Sequence, residues 1–373
     1  MLFLKPHVMN YDWGKKGQNS LVAQLLLTHP DFIISKETPY AELWLGSHQN
    51  GSSKIIGTNT TLKDIPILLK VLSIDKPLSI QIHPNSETAR TLNTLNPSVY
   101  KDANPKPEMT IAITQFELFC GFRPINDFIC ILEQIPQLST IFGSDVSSYK
   151  IILNHLLNQD ETLLNNFTSL LISLFKNSRG ETQFDNEIQW FIKLNQIFPN
   201  DVGCYFVFVM KYYCLNPGES IFISPHQPHF YLCGDAIECM VNSDNVIRCG
   251  LTNKFKDIPT FLKLVDTGCA EQTCFSHQCG PMLKMYYPIN LFRDLFQIGC
   301  LEISLNESFF DSFEKSALWI VIKGEGSVNG SFIQKGTLLY FDSKEQVCVK
   351  SYSEKLRIFI ALWSLNNLNP LVS

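Results

Sequence analysis

The sequence contains no C-x-x-C pair, although it holds 12 cysteines in 373 residues. That spacing argues against a thiolate zinc knuckle or a thioredoxin-like redox site. Blocks of basic residues are also missing: 30 Lys and Arg stand against 35 Asp and Glu, for a formal net charge of −5. Such a chain offers little electrostatic support for binding nucleic acid or an anionic membrane surface. No segment approaches the ~20 apolar residues of a membrane span. Met1-Leu-Phe-Leu-Lys5-Pro6 breaks off before it makes the apolar stretch of a signal peptide. The expected setting is therefore the cytoplasm, where thiols stay reduced and free cysteine behaves as a small buried hydrophobe. A small-molecule partner is expected, with the protein a monomer or weak homodimer.

The composition, 45% hydrophobic and 17% charged with 19 Gly and 19 Pro, is that of a folded globular protein. At roughly 100 to 200 residues per domain, two or three domains are expected. Texture divides the chain. Up to Pro124, short apolar stretches such as Ile65-Pro-Ile-Leu-Leu-Lys-Val-Leu72 are broken by Gly, Pro and Asn, the pattern of short strands. Beyond Pro124 the period becomes helical. Phe128, Ile131, Leu132 and Ile135 form one stripe, and Leu163, Leu164, Phe167, Leu170, Leu171, Leu174 and Phe175 form another. A third helix is expected over residues 185–198, stopped by Pro199. Strand texture resumes at Leu215. The expected organisation is a catalytic β domain (1–124 plus 200–272), a helical insert (125–199) and a second β domain without metal (273–373).

A faint echo fits two related β units. Gly218-Glu-Ser-Ile-Phe-Ile223 and Gly336-Thr-Leu-Leu-Tyr-Phe341 share one form, but only the first is followed by histidines, His226 and His229.

The run Leu78-Ser79-Ile80-Gln81-Ile82-His83-Pro84 carries the first chemical signal. In a strand, Ser79, Gln81 and His83 share one face while Leu78, Ile80 and Ile82 pack the other. Asn104-Pro105-Lys106-Pro107-Glu108 then fixes one lysine and one carboxylate between prolines. Pro225-His226-Gln-Pro228-His229 adds two imidazoles near a turn, either of them a possible ligand. Two imidazoles, a carboxylate and an amide oxygen suit a borderline cation, zinc above all. Residues 234–257 alternate acids and bases with apolar residues, and read as a pair of strands joined by a turn at 242–245.

The runs Tyr11-Asp-Trp13-Gly14, Tyr40-Ala-Glu42-Leu-Trp44-Leu-Gly46-Ser-His48, Lys70-Val-Leu-Ser-Ile, Leu78-Ser-Ile-Gln81-Ile-His83-Pro84, Lys106-Pro-Glu108-Met, Cys120-Gly-Phe-Arg-Pro124, Pro228-His229-Phe-Tyr231 and Ser243-Asp-Asn-Val-Ile-Arg248 occur in this order. Together they closely resemble the type I phosphomannose isomerases. The resemblance covers residues 11–257 well, and the insert and the C-terminal β domain only in general character.

The resemblance implies a mainly β fold of two cupin-type jelly-roll barrels with an inserted α-helical module. It also implies zinc-dependent interconversion of mannose 6-phosphate and fructose 6-phosphate, supplying GDP-mannose and glycoconjugate synthesis. It assigns one Zn²⁺ per chain to Gln81, His83, Glu108 and His229, selecting His229 over His226. Arg248, Lys106, Glu238 and Asp244 become candidate catalytic groups. Lys70, Ser79, Lys254, Trp13 and Glu42 become candidate substrate contacts.

One departure stands out: the family pattern has Asn-His before Lys-Pro-Glu, whereas this chain has Asn104-Pro105. No proton relay through an imidazole is expected there. Two other readings compete. Two histidines and a carboxylate also form the iron site of a cupin oxygenase or epimerase, and a non-catalytic sugar-binding cupin needs no turnover. The amide ligand and the cationic residues count against both.

Overall fold

In the computed structural model, the residues described are 1–58, 60–177, 183–268, 274–289, 292 and 294–363. The expected boundary at 272/273 lies outside them. Strands dominate where β-branched and aromatic residues run together. Ile67–Ile74 is buried along its whole length, because it lies between two antiparallel neighbours, Glu42–His48 and the 13-residue strand His229–Val241. That long strand also pairs with Glu108–Ala112 and Phe116–Phe122. It is the spine of an 11-stranded sheet. Ile80–Ile82 joins it at the pair His229 with Gln81, and Ile247–Gly250 pairs in turn with Ile80–Ile82.

Residues 234–250 thus differ from the hairpin expected of them. The two strands form, yet Ile247–Gly250 pairs with Ile80–Ile82 and not with its sequence neighbour. Side-chain and backbone hydrogen bonds to Asp102 hold Ser243, Asp244 and Asn245 in a loop that carries the chain across.

The C-terminal part forms an eight-stranded and a four-stranded sheet, with Trp319, Leu339, Ile333 and Val349 in the apolar layer between them. The eight-stranded sheet includes a strand from the start of the chain: Leu2–Lys5 pairs antiparallel with Leu338–Phe341. Leu4 and Leu43 share an apolar cluster with Ile320 and Trp363, which cements the two β regions. Both copies of the sequence echo open on a glycine in the left-handed region, Gly218 at φ 86° and Gly336 at φ 92°. A Cβ on Gly336 would lie 2.1 Å from the Leu25 carbonyl oxygen, so only glycine fits that turn.

Between residues 125 and 199 the chain is helical: Ile125–Gln134, Ser139–Phe142, Tyr149–Leu157, Glu161–Asn177 and Asp185–Ile197. Phe128, Ile131, Leu164 and Leu171 are buried in one cluster with Ile80, Phe119 and Phe230 of the sheet. The predicted stripe on Glu161–Asn177 is wider than the face actually covered, since Leu163, Leu170 and Leu174 are exposed. One buried ion pair pins the helices to the sheet. Arg123 donates from Nη2 to Glu187 at 2.8 Å and to the Met210 carbonyl at 2.9 Å. Arg123→Ala strands the buried Glu187 carboxylate, and a loss of about 3–5 kcal/mol is expected in denaturant unfolding. Among the described residues, no helix is long and apolar enough to cross a membrane.

Candidate metal centre and active site

Ile80 and Ile82 are fully buried in the core, so the alternation of the strand turns Gln81 the other way. Only Ile80–Ile82 is regular strand, shorter than the predicted 78–83. Ser79 and Gln81 nevertheless line the same cleft, and His83 follows into its floor. The His83 Nδ1 lies 2.9 Å from the Asn245 carbonyl, and the His229 Nδ1 lies 3.0 Å from the Gln227 carbonyl. A neutral imidazole donates through Nδ1 in such a contact, which leaves the Nε2 lone pair free.

Both Nε2 atoms point at one spot. That of His83 is 3.5 Å from the Glu108 Oε1 and that of His229 is 3.8 Å from the Oε2. The His83 Nε2 is buried without a hydrogen-bond partner, a costly arrangement unless something else takes the lone pair. The donor atoms of His83, Glu108 and His229 lie within 4.8 Å of one another. The Gln81 carboxamide reaches the same point, 3.2 Å from the His229 Nε2; a half-turn of the amide presents its oxygen there. Among the described residues this is the one cluster of three or more His, Cys, Asp or Glu side chains with metal-ligand geometry. His226 lies outside it, its Nε2 accepting from the Asn85 amide at 3.4 Å.

Electrostatics keep the cluster in its ligating form. Burial lowers the His83 pKa, and burial plus the neighbouring His83 lowers that of His229 to about 3. Burial pushes the Glu108 carboxyl up, but His83, Lys106 and His229 together hold it well below the usual carboxylate range. Neutral imidazoles beside a carboxylate are what a divalent cation requires.

This state has a pH signature in the metal-free chain. The unfolded histidines take up protons near 6.5 while His229 resists until about 3. The unfolded state then binds more protons, so stability falls as pH drops below 6.5. The expected slope is about 1.4 kcal/mol per pH unit for each such histidine. Denaturation midpoints of metal-stripped protein between pH 6.5 and 5 measure it, and a flat profile contradicts neutral burial.

The cleft above this floor has a volume of about 730 Å³. Trp13, Glu42, Lys70 and Ser79 line it, as do Lys106, Glu238, Asp244, Arg248 and Lys254. His83 and His229 are buried beneath it. Lys70 is less free than the sequence suggested. Its Nζ lies 3.0 Å from Glu238 and 3.5 Å from Glu42. Burial alone would lower its pKa, but Glu238, Glu42 and Glu108 raise it instead, fixing a permanent cation.

Glu238 goes the opposite way from Glu108. Burial and the Glu108 charge raise its pKa, and Lys70 offsets only part of this. Its Oε1 accepts from the Tyr231 hydroxyl at 3.0 Å, which shares a 2.8 Å hydrogen bond with Thr110. Asp244 is instead held down to about 2: burial raises it, but His48 and Gln49 more than compensate. Gln49 and Asn50 both donate to its Oδ2, at 2.8 and 2.7 Å. Arg248 and Lys254 stand close enough that Arg248, after burial, depresses the Lys254 pKa. Two cations on the wall of one cleft suit an anionic group of a substrate.

Several residues here escaped the reading of the sequence. The His48 contact with Asp244 at 3.3 Å joins positions far apart in the chain. Tyr11, which stacks on Trp13 at 5.7 Å and lies under Lys254, had only its place in a motif to mark it.

Two imidazoles and a carboxylate, set under a polar cleft lined by carboxylates and cations alike in a mainly β, cupin-type fold, have the arrangement of a metal centre open to a small polar ligand. The family model "Phosphomannose isomerase type I, catalytic domain" matches residues 1–66 and 56–125. The mannose-6-phosphate isomerase of Schizosaccharomyces pombe is 32% identical over 410 residues, 97% of this chain and 99% of that protein. The Homo sapiens mannose-6-phosphate isomerase is 35% identical, over 95% of this chain and 96% of the other. A crystal structure of a mutant phosphomannose isomerase from Salmonella typhimurium superposes with a TM-score of 0.82 at 25% identity, covering 98% of this chain and all of that one. A zinc-bound mannose 6-phosphate isomerase shares the fold, with a TM-score of 0.74 at 24% identity over 97% of this chain and 99% of the other. The chain belongs to the type I phosphomannose isomerase family.

Proposed function

We propose that this chain interconverts mannose 6-phosphate and fructose 6-phosphate with one Zn²⁺ held by Gln81, His83, Glu108 and His229. The observation that carries the reading is the convergence of two neutral Nε2 lone pairs and the Glu108 carboxylate on a point where the His83 Nε2 has no other partner. The donor set fits zinc: nitrogen and oxygen ligands with no thiolate, and a single carboxylate that leaves the ion a net positive charge. When bound, it supplies Lewis-acid stabilisation of the sugar oxygens as negative charge develops.

Isomerisation moves a proton between adjacent carbons, and the residues divide that work. In this reading Arg248 and Lys254 face the anionic parts of the substrate, the phosphate or the developing enediolate, with Ser79 at hand in the same cleft. Glu238, whose pKa is raised by burial and by the Glu108 charge, takes up a proton more readily than an ordinary glutamate and is a candidate proton carrier. Asp244 is the opposite kind of group, locked ionised by its amide and imidazole donors. Lys106, 3.3 Å from Glu108, completes the set of candidate proton carriers. Lys70 serves by neutralising Glu42 and Glu238, and Trp13 walls the cleft.

We place the reaction in the cytoplasm and its product in the supply of GDP-mannose and glycoconjugate synthesis, as the family resemblance implies. We assign the chain one metal-bearing β domain (1–124 plus 200–272), a helical insert (125–199) and a C-terminal β domain without metal (273–373). The test is isomerase assay under anaerobic conditions together with metal content. Turnover without oxygen, lost on chelation and restored by zinc, is expected; oxygen dependence would favour an oxygenase, and binding without turnover a sugar-binding protein. Gln81→Ala is expected to lower zinc affinity about 10-fold or more and turnover with it, as measured by chelator competition. Unchanged zinc affinity removes Gln81 from the ligand set.

A further inference from the structure

The two segments that bring Glu108 and the Asn245 carbonyl to the metal centre are joined at one side chain outside it. Asp102 precedes the Lys106-Pro107-Glu108 run. Its Oδ1 accepts from the Ser243 hydroxyl at 2.9 Å, the Asn245 amide at 3.1 Å and the Asn104 backbone N–H at 2.9 Å. Its Oδ2 accepts from the Asp244 backbone N–H at 2.8 Å, and its own carbonyl takes the Asn245 amide at 2.7 Å. The Asn104 carbonyl adds bonds from Ser243 and from Asn245, both at 3.1 Å. The loop so gripped contains Asn245, whose backbone carbonyl fixes His83 through Nδ1 at 2.9 Å. It also contains Asp244 at the wall of the cleft.

From this geometry we infer that Asp102 is a positioning residue for the metal centre. Its carboxylate ties the segment bearing Lys106 and Glu108 to the loop that orients the His83 ring, and so sets the spacing between two proposed ligands. It touches neither the cluster nor the substrate cleft. Loss of the partners that orient a ligating imidazole typically costs about 10- to 100-fold in metal affinity. In this chain the orienting carbonyl belongs to a loop without regular structure, five residues between strands Val241 and Ile247, so its own anchor takes on that task.

The inference rests on the zinc reading above, and one experiment separates the two. Full-length protein is stripped of metal and titrated with Zn²⁺ against a chromophoric chelator, alongside the denaturation midpoint of the metal-free form. In Asp102→Asn an amide NH₂ faces the Asp244 N–H, donor against donor, with little change in volume. Zinc affinity is expected to fall about 10- to 100-fold. Ser243→Ala deletes a hydroxyl that donates to Asp102 and the Asn104 carbonyl and accepts from the Asn245 backbone N–H, and a fall of about tenfold is expected, the worth of one to two hydrogen bonds. It decides the matter should Asp102→Asn not fold. Parent-like zinc affinity in the folded variants overturns the inference, even if their metal-free midpoints drop, since that marks Asp102 as structural only. Failure of the parent chain to bind zinc overturns the zinc reading, and this inference with it.

Discussion

His83→Ala empties the metal centre. Purified variant protein should contain little zinc, and kcat should fall roughly 10³-fold or more, the scale of losing several kcal/mol of Lewis-acid stabilisation. The substitution removes a side chain that is itself fully buried and whose Nε2 lacks a protein partner. The metal-free forms of parent and variant should therefore differ far less in stability than the zinc-loaded forms do, because binding energy for the native state adds directly to stability. Zinc per chain by atomic emission, with denaturation midpoints taken with and without zinc, is the measurement. Full zinc occupancy in His83→Ala would end the ligand assignment.

Arg248→Ala produces the second large effect, of a different kind. Arg248 sits on Ile247–Gly250, in register with Gln81 on the neighbouring strand, so backbone pairing sets its Cα beside that of a proposed ligand, and its side chain lines the cleft. Zinc content and fold should be retained, since no hydrogen bond to a ligand is lost. If the guanidinium stabilises developing charge, kcat should drop about 10²- to 10³-fold with KM little changed. A rise in KM with kcat preserved would place Arg248 on the phosphate instead. The paired cation Lys254 then provides the internal comparison: whichever residue moves KM is the one that holds the ground-state anion.

The residues of the candidate site were far more legible in the sequence than the topology that brings them together. Ser79, Gln81 and His83 could be read because strand alternation separates them from Ile80 and Ile82, and the two isoleucines are indeed fully buried. The helical stretch after Pro124 announced itself through a change of period. Three things did not. The loop at 242–246 looked like a hairpin turn because turn chemistry is local, whereas its partner Asp102 lies some 140 positions upstream. The split in the carboxylates, Glu238 raised and Asp244 depressed, depends on burial and on donors that no spacing reveals. The apolar stripe on Glu161–Asn177 overstated its contact, since periodicity reports amphipathic character and not how much of a face a neighbour covers.

The pairing of Leu2–Lys5 with Leu338–Phe341 reaches into how the chain is made. Leu338–Phe341 is translated long after Leu2–Lys5 and after Lys54–Ile55, which also pairs with Leu4 and Lys5, so only the pairing with Leu338–Phe341 has to wait. At about 5–20 residues per second that wait is on the order of tens of seconds. Through this interval Leu4, which ends fully buried, has only its nearer partners to shelter it, Ile55 on the adjacent strand and Leu43 in the shared apolar cluster. Closing so long a loop is also the slow kind of contact. Pairing with Leu338–Phe341 is therefore a late step of assembly, one that joins the two β regions through a strand already lodged against the first of them.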